Sequence, residues 1–202
     1  MKTLNIPVSL ILFRFILSPI IILLAILLKE KSNLIIITLM YLGLVSDILD
    51  GIIARKQGVS TEKLRRLDSQ TDMIFWLSIG FSSYILYPEL IRDNSYAIWA
   101  ILVMEAMCYV ISFLKFGKET CTHAFLSKIW GLTLLIAFTS LIGFQQAGFP
   151  FYLAIVIGLI AHIDVILIIL ILPKWTHDIP SSYHAYLLRK GKKITKHKLL
   201  NS

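Results

Sequence analysis

Apolar runs close to twenty residues long recur along the whole of this sequence, and that recurrence restricts its fold more than any other feature. A run of that length makes a helix of about 30 Å, the thickness of a bilayer's hydrocarbon core. No single soluble core has use for so many. Bounded by charges and turn residues, the runs predict six helices, over residues 6–28, 33–55, 61–87, 95–114, 124–144 and 149–172. The punctuation agrees with these cuts. Pro7 suits a first helical turn, Gly58 a helix end, Ser60 or Thr61 an N-cap, and Pro88 the residue after a helix. The first run is expected to remain as a span and not to be cleaved as a signal peptide.

Composition fits this reading: 57% of residues are hydrophobic and 16% charged, far from the balance of a water-soluble domain. The expected fold is therefore all-α, a polytopic bundle of six transmembrane helices forming one membrane domain over residues 1–173, followed by a basic tail over 174–202. Within the tail, Ser181 or Ser182 can cap a short interfacial helix carrying Tyr183, Tyr186, Leu187 and Leu188. With six spans, sixteen of the twenty Lys and Arg residues fall on the side that holds both termini, which the positive-inside rule makes the cytoplasm. The net charge of +8 then reads as topology and attraction to anionic lipid, and no nucleic-acid partner is expected. Cys108 and Cys121 lack metal-ligand spacing and read as structural.

Acidic residues appear where hydrocarbon should exclude them. Asp47 and Asp50 are three apart and share a helical face, and Asp68 and Asp72, four apart, do the same on the next helix. Four carboxylates brought together near lipid require positive charge, which makes them functional candidates. An all-carboxylate set without Cys or His favours a hard cation, Mg²⁺ first and Mn²⁺ second, and two such ions can clamp a diphosphate. Gly51 allows a ligand close to the backbone, and Arg55 can pair with phosphate oxygens. Arg14, Glu105, His162 and Asp164 also lie within helices, and they read first as internal ion pairs or interhelical hydrogen bonds. The tryptophans read as packing or interfacial aromatics.

The stretch Asp47-x2-Asp50-Gly51-x2-Ala54-Arg55-x8-Leu64-x3-Asp68-x3-Asp72 resembles the signature of the CDP-alcohol phosphatidyltransferase family, D-x2-D-G-x2-A-R, eight or nine residues, G-x3-D-x3-D. Asn5-Ile6-Pro7 and Arg14 extend the resemblance into the first helix. Leu64 departs from the pattern, standing where the family has glycine, and it bears on the shape of the nucleotide pocket. The resemblance implies transfer of a phosphatidyl group from CDP-diacylglycerol to a small alcohol with release of CMP, in phospholipid biosynthesis. It implies Asp47, Asp50, Asp68 and Asp72 as the metal site with Asp72 as general base, and Gly51, Ala54, Arg55 and the Leu64 position as CDP contacts. It further implies a homodimer in a bacterial plasma membrane, with the active site facing the cytoplasm.

The acceptor is less defined. Lys115, Lys118 and Lys128 lie on the same expected side as the aspartates, and Ser127-Lys128-Ile129-Trp130-Gly131 faintly resembles the Gly-Lys-x-Lys-Thr stretch of relatives that use glycerol 3-phosphate. Glycerol 3-phosphate is the first expectation, with inositol phosphate, inositol or serine as alternatives. A reading of a different class, a divalent-cation transporter or channel, also accounts for carboxylates in helices. It leaves Gly51 and Arg55 unexplained.

Overall fold

The computed structural model describes residues 6–192, and every regular element among them is helical. The chain forms α1 (Ile6–Leu28), a 3-10 turn (Lys29–Ser32), α2 (Asn33–Lys56), α3 (Glu62–Leu86), a short α4 (Pro88–Asp93), α5 (Ser95–Phe116), α6 (Phe125–Phe144), α7 (Phe149–Ile171) and α8 (Ser182–Arg189). The six long helices expected from the sequence are all present, with ends no more than two residues from those expected. Lys2, Asn5 and the basic residues from Lys193 onward lie outside the described residues.

Among the described residues, four helical stretches are long and apolar enough to cross a membrane: Ile6–Lys56, which joins α1 and α2 through the 3-10 turn, then Ser95–Phe116, Phe125–Phe144 and Phe149–Ile171. Helix α3 is not among them. Its first three turns carry Glu62, Lys63, Arg65, Arg66, Asp68 and Asp72, so its apolar character begins late. Outward-facing positions are apolar, with Leu27, Leu34 and Leu114 at 67%, 75% and 83% exposure. Such surfaces are stable only against lipid or another apolar partner. Hydroxyls inside the helices bond back to their own backbone, as Ser78 does to the Ile74 carbonyl, Ser83 to Ile79 and Thr139 to Leu135. That leaves few donors unsatisfied in hydrocarbon.

Local chemistry ends the helices where the sequence indicates. The Thr61 hydroxyl accepts from the Leu64 amide at 3.3 Å and caps α3. Beyond α2, Gly58 takes φ +66°, a conformation that costs glycine little. Pro88 follows α3 by opening the short α4. Ser181 stands at the N-cap position of α8, but its hydroxyl meets His184 Nδ1 at 2.9 Å. The capping acceptor is Asp164 on α7, whose Oδ1 takes the Ser182 amide at 3.0 Å.

The helices group into two compact units, one formed by residues up to Asp93 together with Leu135–Gly148, the other by Asn94–Leu134 together with residues from Phe149 on. In the first unit α1 packs against both α2 and α3. Gly43 of α2 makes room for the Phe75 ring of α3, because a Cβ there would fall 2.2 Å from that ring. Trp76 stacks on Phe138 with ring centroids 6.1 Å apart. In the second unit α5 and α8 pack on α7. Ile179 and Ala185 are buried with Val165, Ile168 and Leu172, so the start of the basic tail folds onto α7, while Tyr183 and Tyr186 stay exposed.

Candidate active site

The first unit contains a constellation built on α1, α2 and α3. Arg14 is the one charged residue of α1, and at 1% exposure its guanidinium is enclosed. The four motif aspartates surround it. Nη1 lies 2.6 Å from Asp47 Oδ1 and 3.0 Å from Asp72 Oδ1, and Nη2 lies 3.0 Å from Asp50 Oδ2 and 2.5 Å from Asp68 Oδ1. Each nitrogen thus bridges α2 to α3. The two helices supply one acid apiece to each nitrogen because the i, i+3 pair on α2 and the i, i+4 pair on α3 both face α1.

The four carboxylates differ in access. Asp50 and Asp68 are nearly closed off, at 3% and 5% side-chain exposure, whereas Asp47 and Asp72 keep 33% and 29%. A narrow cleft lined by Gly43, Leu44, Phe75 and Trp76 opens onto Arg14, Asp47 and Asp72. Arg65, itself buried, places Nη1 3.9 Å from the second oxygen of Asp68. The site therefore has a closed anionic floor at Asp50 and Asp68 and an open mouth at Asp47 and Asp72.

The donor chemistry suits a hard divalent cation. Asp47, Asp50 and Asp68 each offer an oxygen within 4.8 Å of the others, and an ion with ligands at about 2.1 Å places opposite oxygens about 4.2 Å apart. Side-chain shifts below an ångström close that difference. Gly51 is buried beside the floor, and the Arg55 guanidinium lies close to it, with Nη1 3.3 Å from where a Cβ on Gly51 would sit. Ala54 is buried one turn further on. Leu64 packs with Ile11 and Ala54, with Val8 and Val59 at the edge of the cluster, so it occupies the α1–α2–α3 junction.

The three lysines considered for the acceptor belong to the second unit. Lys115 Nζ donates to the carbonyls of Ile169 and Leu170 at 2.9 and 2.6 Å, at the carboxyl end of α7. Lys118 Nζ stands 5.1 Å from the centre of the Trp175 ring, and Lys128 lies in the first turn of α6. In the same unit His162 Nε2 meets Glu105 Oε2 at 2.5 Å and Nδ1 meets the Gly158 carbonyl at 2.5 Å, with Trp130 edge-on at 4.6 Å. Glu105, His162 and Asp164 thus make the internal pairs and interhelical bonds expected of them.

Arg14 likewise makes the internal ion pairs expected of it, and its partners are the four motif aspartates. The signal was present as a lone charge in an apolar run beside acids with no obvious partner. Arg65, three residues before Asp68, shares its helical face, and that spacing is the sequence signal for its place beside the site.

An all-helical chain with apolar outer faces and a buried cluster of acids around a cation is an integral membrane protein built around a polar site. The profile of the CDP-alcohol phosphatidyltransferase family matches residues 4–185, and the chain belongs to that family. It is thereby a transferase of substituted phosphate groups, acting on a CDP-alcohol and an alcohol acceptor in membranes. The family is generally dependent on divalent metal, in accord with the aspartate cluster. No curated protein and no solved structure matches the chain significantly.

The packing of Leu64 makes its replacement costly. Leu64→Gly removes a buried side chain and adds a glycine to a helix, which together should lower stability by about 3 kcal/mol. Thermal unfolding in detergent measures this, and a variant within about 0.5 kcal/mol of the parent would show that Leu64 contributes nothing to the junction.

Proposed function

We propose that this chain transfers the phosphatidyl group of CDP-diacylglycerol to a small alcohol that carries its own phosphate, with glycerol 3-phosphate first and inositol phosphate second. The convergence of four aspartates from α2 and α3 on one point carries the proposal, because a diphosphate can be held at such a point only through cations. Asp47, Asp50 and Asp68 would hold divalent metal, Mg²⁺ or Mn²⁺, with Asp72 at the edge of the set. When bound, such ions supply Lewis-acid stabilisation of the charge that develops on the phosphate oxygens.

The residues of the chain then divide the work. Gly51, Ala54 and Arg55 receive the CDP part, Arg55 pairing with phosphate and Gly51 allowing close approach. The Leu64 position shapes the nucleotide side from behind, through its contact with Ala54. Asp72, at the open mouth of the site, takes the proton of the acceptor hydroxyl as that oxygen bonds to the lipid-side phosphorus and the bond to CMP breaks. Lys118 and Lys128 are the lysines proposed for an acceptor phosphate, and Lys115 donates to α7 carbonyls.

The same reading has residues 1–173 as a membrane domain of six spans, with α3 completing the set, both termini in the cytoplasm, and the basic tail over 174–202 on that face. The distribution of Lys and Arg supports it. A homodimer in a bacterial plasma membrane follows from the family resemblance.

Three measurements test these assignments. Asp50→Asn or Asp68→Asn keeps side-chain size but removes a ligand charge, so CMP release from CDP-diacylglycerol should fall by about a hundredfold or more in protein that still inserts. Near-parental turnover in either variant would remove the site. Against a panel of acceptors, glycerol 3-phosphate should be preferred, and Lys128→Ala should raise its KM about tenfold with the CDP-lipid dependence unchanged. Preference for serine or free inositol would overturn the phosphate assignment. Reporters fused after Ser202 and inserted between α2 and α3 should both read cytoplasmic, and opposite locations would break the six-span arrangement.

A further inference from the structure

The metal reading leaves one feature unaccounted for. Arg14 already occupies the centre of the aspartate cluster, and it does so with a particular geometry. Nη2 sits between Asp50 Oδ2 at 3.0 Å and Asp68 Oδ1 at 2.5 Å, the two carboxylates of the closed floor. An ion drawing those same oxygens to about 2.1 Å would occupy the space of that nitrogen. The two contacts are mutually exclusive. The Nη1 contacts with Asp47 and Asp72 lie on the open side, where the carboxylates have room to turn.

We propose that Arg14 is a resident counter-ion of this site, competing with divalent metal for Asp50 and Asp68 and keeping Asp72 oriented through Nη1 when Nη2 is displaced. The inference rests on the reading of the aspartates as metal ligands. Before metal loads, the guanidinium holds four acids from two helices in register against α1, so the site is assembled in advance. As metal loads, the Arg14 side chain withdraws from the floor by rotation about its own bonds, with its backbone fixed in α1. The carbonyl of Arg14 accepts from the Ser18 hydroxyl at 3.3 Å within α1, and both residues are buried. The contact that survives, Nη1 with Asp72, makes Arg14 a positioning residue for the proposed base.

Competition has a thermodynamic signature that a merely structural arginine lacks. A residue that must leave before metal enters lowers the apparent metal affinity, so its removal raises that affinity. The same removal leaves four carboxylates without their central cation, so stability in chelator falls while stability in excess metal is largely restored.

The experiment uses full-length protein in detergent, with Mn²⁺ binding read by electron paramagnetic resonance and unfolding measured in chelator and in Mn²⁺. Arg14→Met should bind Mn²⁺ about tenfold more tightly than the parent, and Mn²⁺ should raise its Tm more than it raises the parent's. Arg14→Lys, which keeps the charge but has one terminal nitrogen in place of two and so cannot engage both acid pairs, should lie between the two. If Arg14→Met folds only in Mn²⁺, the dependence itself is the expected result, and if it does not fold at all, Arg14→Lys decides. Mn²⁺ affinity unchanged or weakened in the folded variants overturns the counter-ion role and leaves the metal reading intact. Parental protein that binds no Mn²⁺, or binds it equally well as Asp50→Asn, overturns the metal reading from which the inference starts.

Discussion

The ion cluster of Arg14 with Asp47, Asp50, Asp68 and Asp72 is the polar constraint on the first unit, because it ties one residue of α1 to two acids on each of α2 and α3. Charges withdrawn from water are tolerated only when paired, and removing one partner from a buried pair commonly costs about 3–5 kcal/mol. Here one cation faces four acids, so losing the cation strands several groups at once. The packing around the cluster follows from this requirement. Gly43 admits the Phe75 ring of α3, and Ile11, Ala54 and Leu64 fill the junction of the three helices. Apolar contact brings the helices together, and the polar contact sets their register.

The second unit obeys the same rule with different residues. His162 is held at both ring nitrogens, by Glu105 and by the Gly158 carbonyl, and Asp164 caps α8 from the side of α7. Gly158 has a steric role as well, since a Cβ there would lie 2.5 Å from Trp130 Nε1. These polar groups sit in α5 and α7, where unpaired they would be costly, and each has become an interhelical tie.

Helix positions were legible in the sequence because length and apolar character determine them almost alone. Residues such as Thr61, Gly58 and Pro88 mark ends through backbone chemistry that needs no tertiary information. The aspartate face was legible for the same reason, as a matter of helical spacing. What spacing could not give was the partner. Arg14 lies thirty-six residues from Asp50 and fifty-four from Asp68, and only the packing of α1 against both neighbours brings them together. The cap of α8 was hidden in the same way: Ser181 has the residue type and position of a cap, yet Asp164 supplies the acceptor from another helix.

Charge counting shows where sequence reasoning reaches its limit. Lys115, Lys118 and Lys128 each add equally to a tally of basic residues on one side of the membrane, and that tally cannot tell which amine is available to a ligand. In the folded chain Lys115 donates hydrogen bonds to the Ile169 and Leu170 carbonyls, in the last turn of α7 where carbonyls lack helical partners. A cation at a helix carboxyl end is stabilised by the aligned peptide dipoles as well as by the hydrogen bonds. Recruiting this amine to an acceptor phosphate would require giving up both. The same residue can therefore add to a charge tally and serve α7, and only the folded chain distinguishes the two.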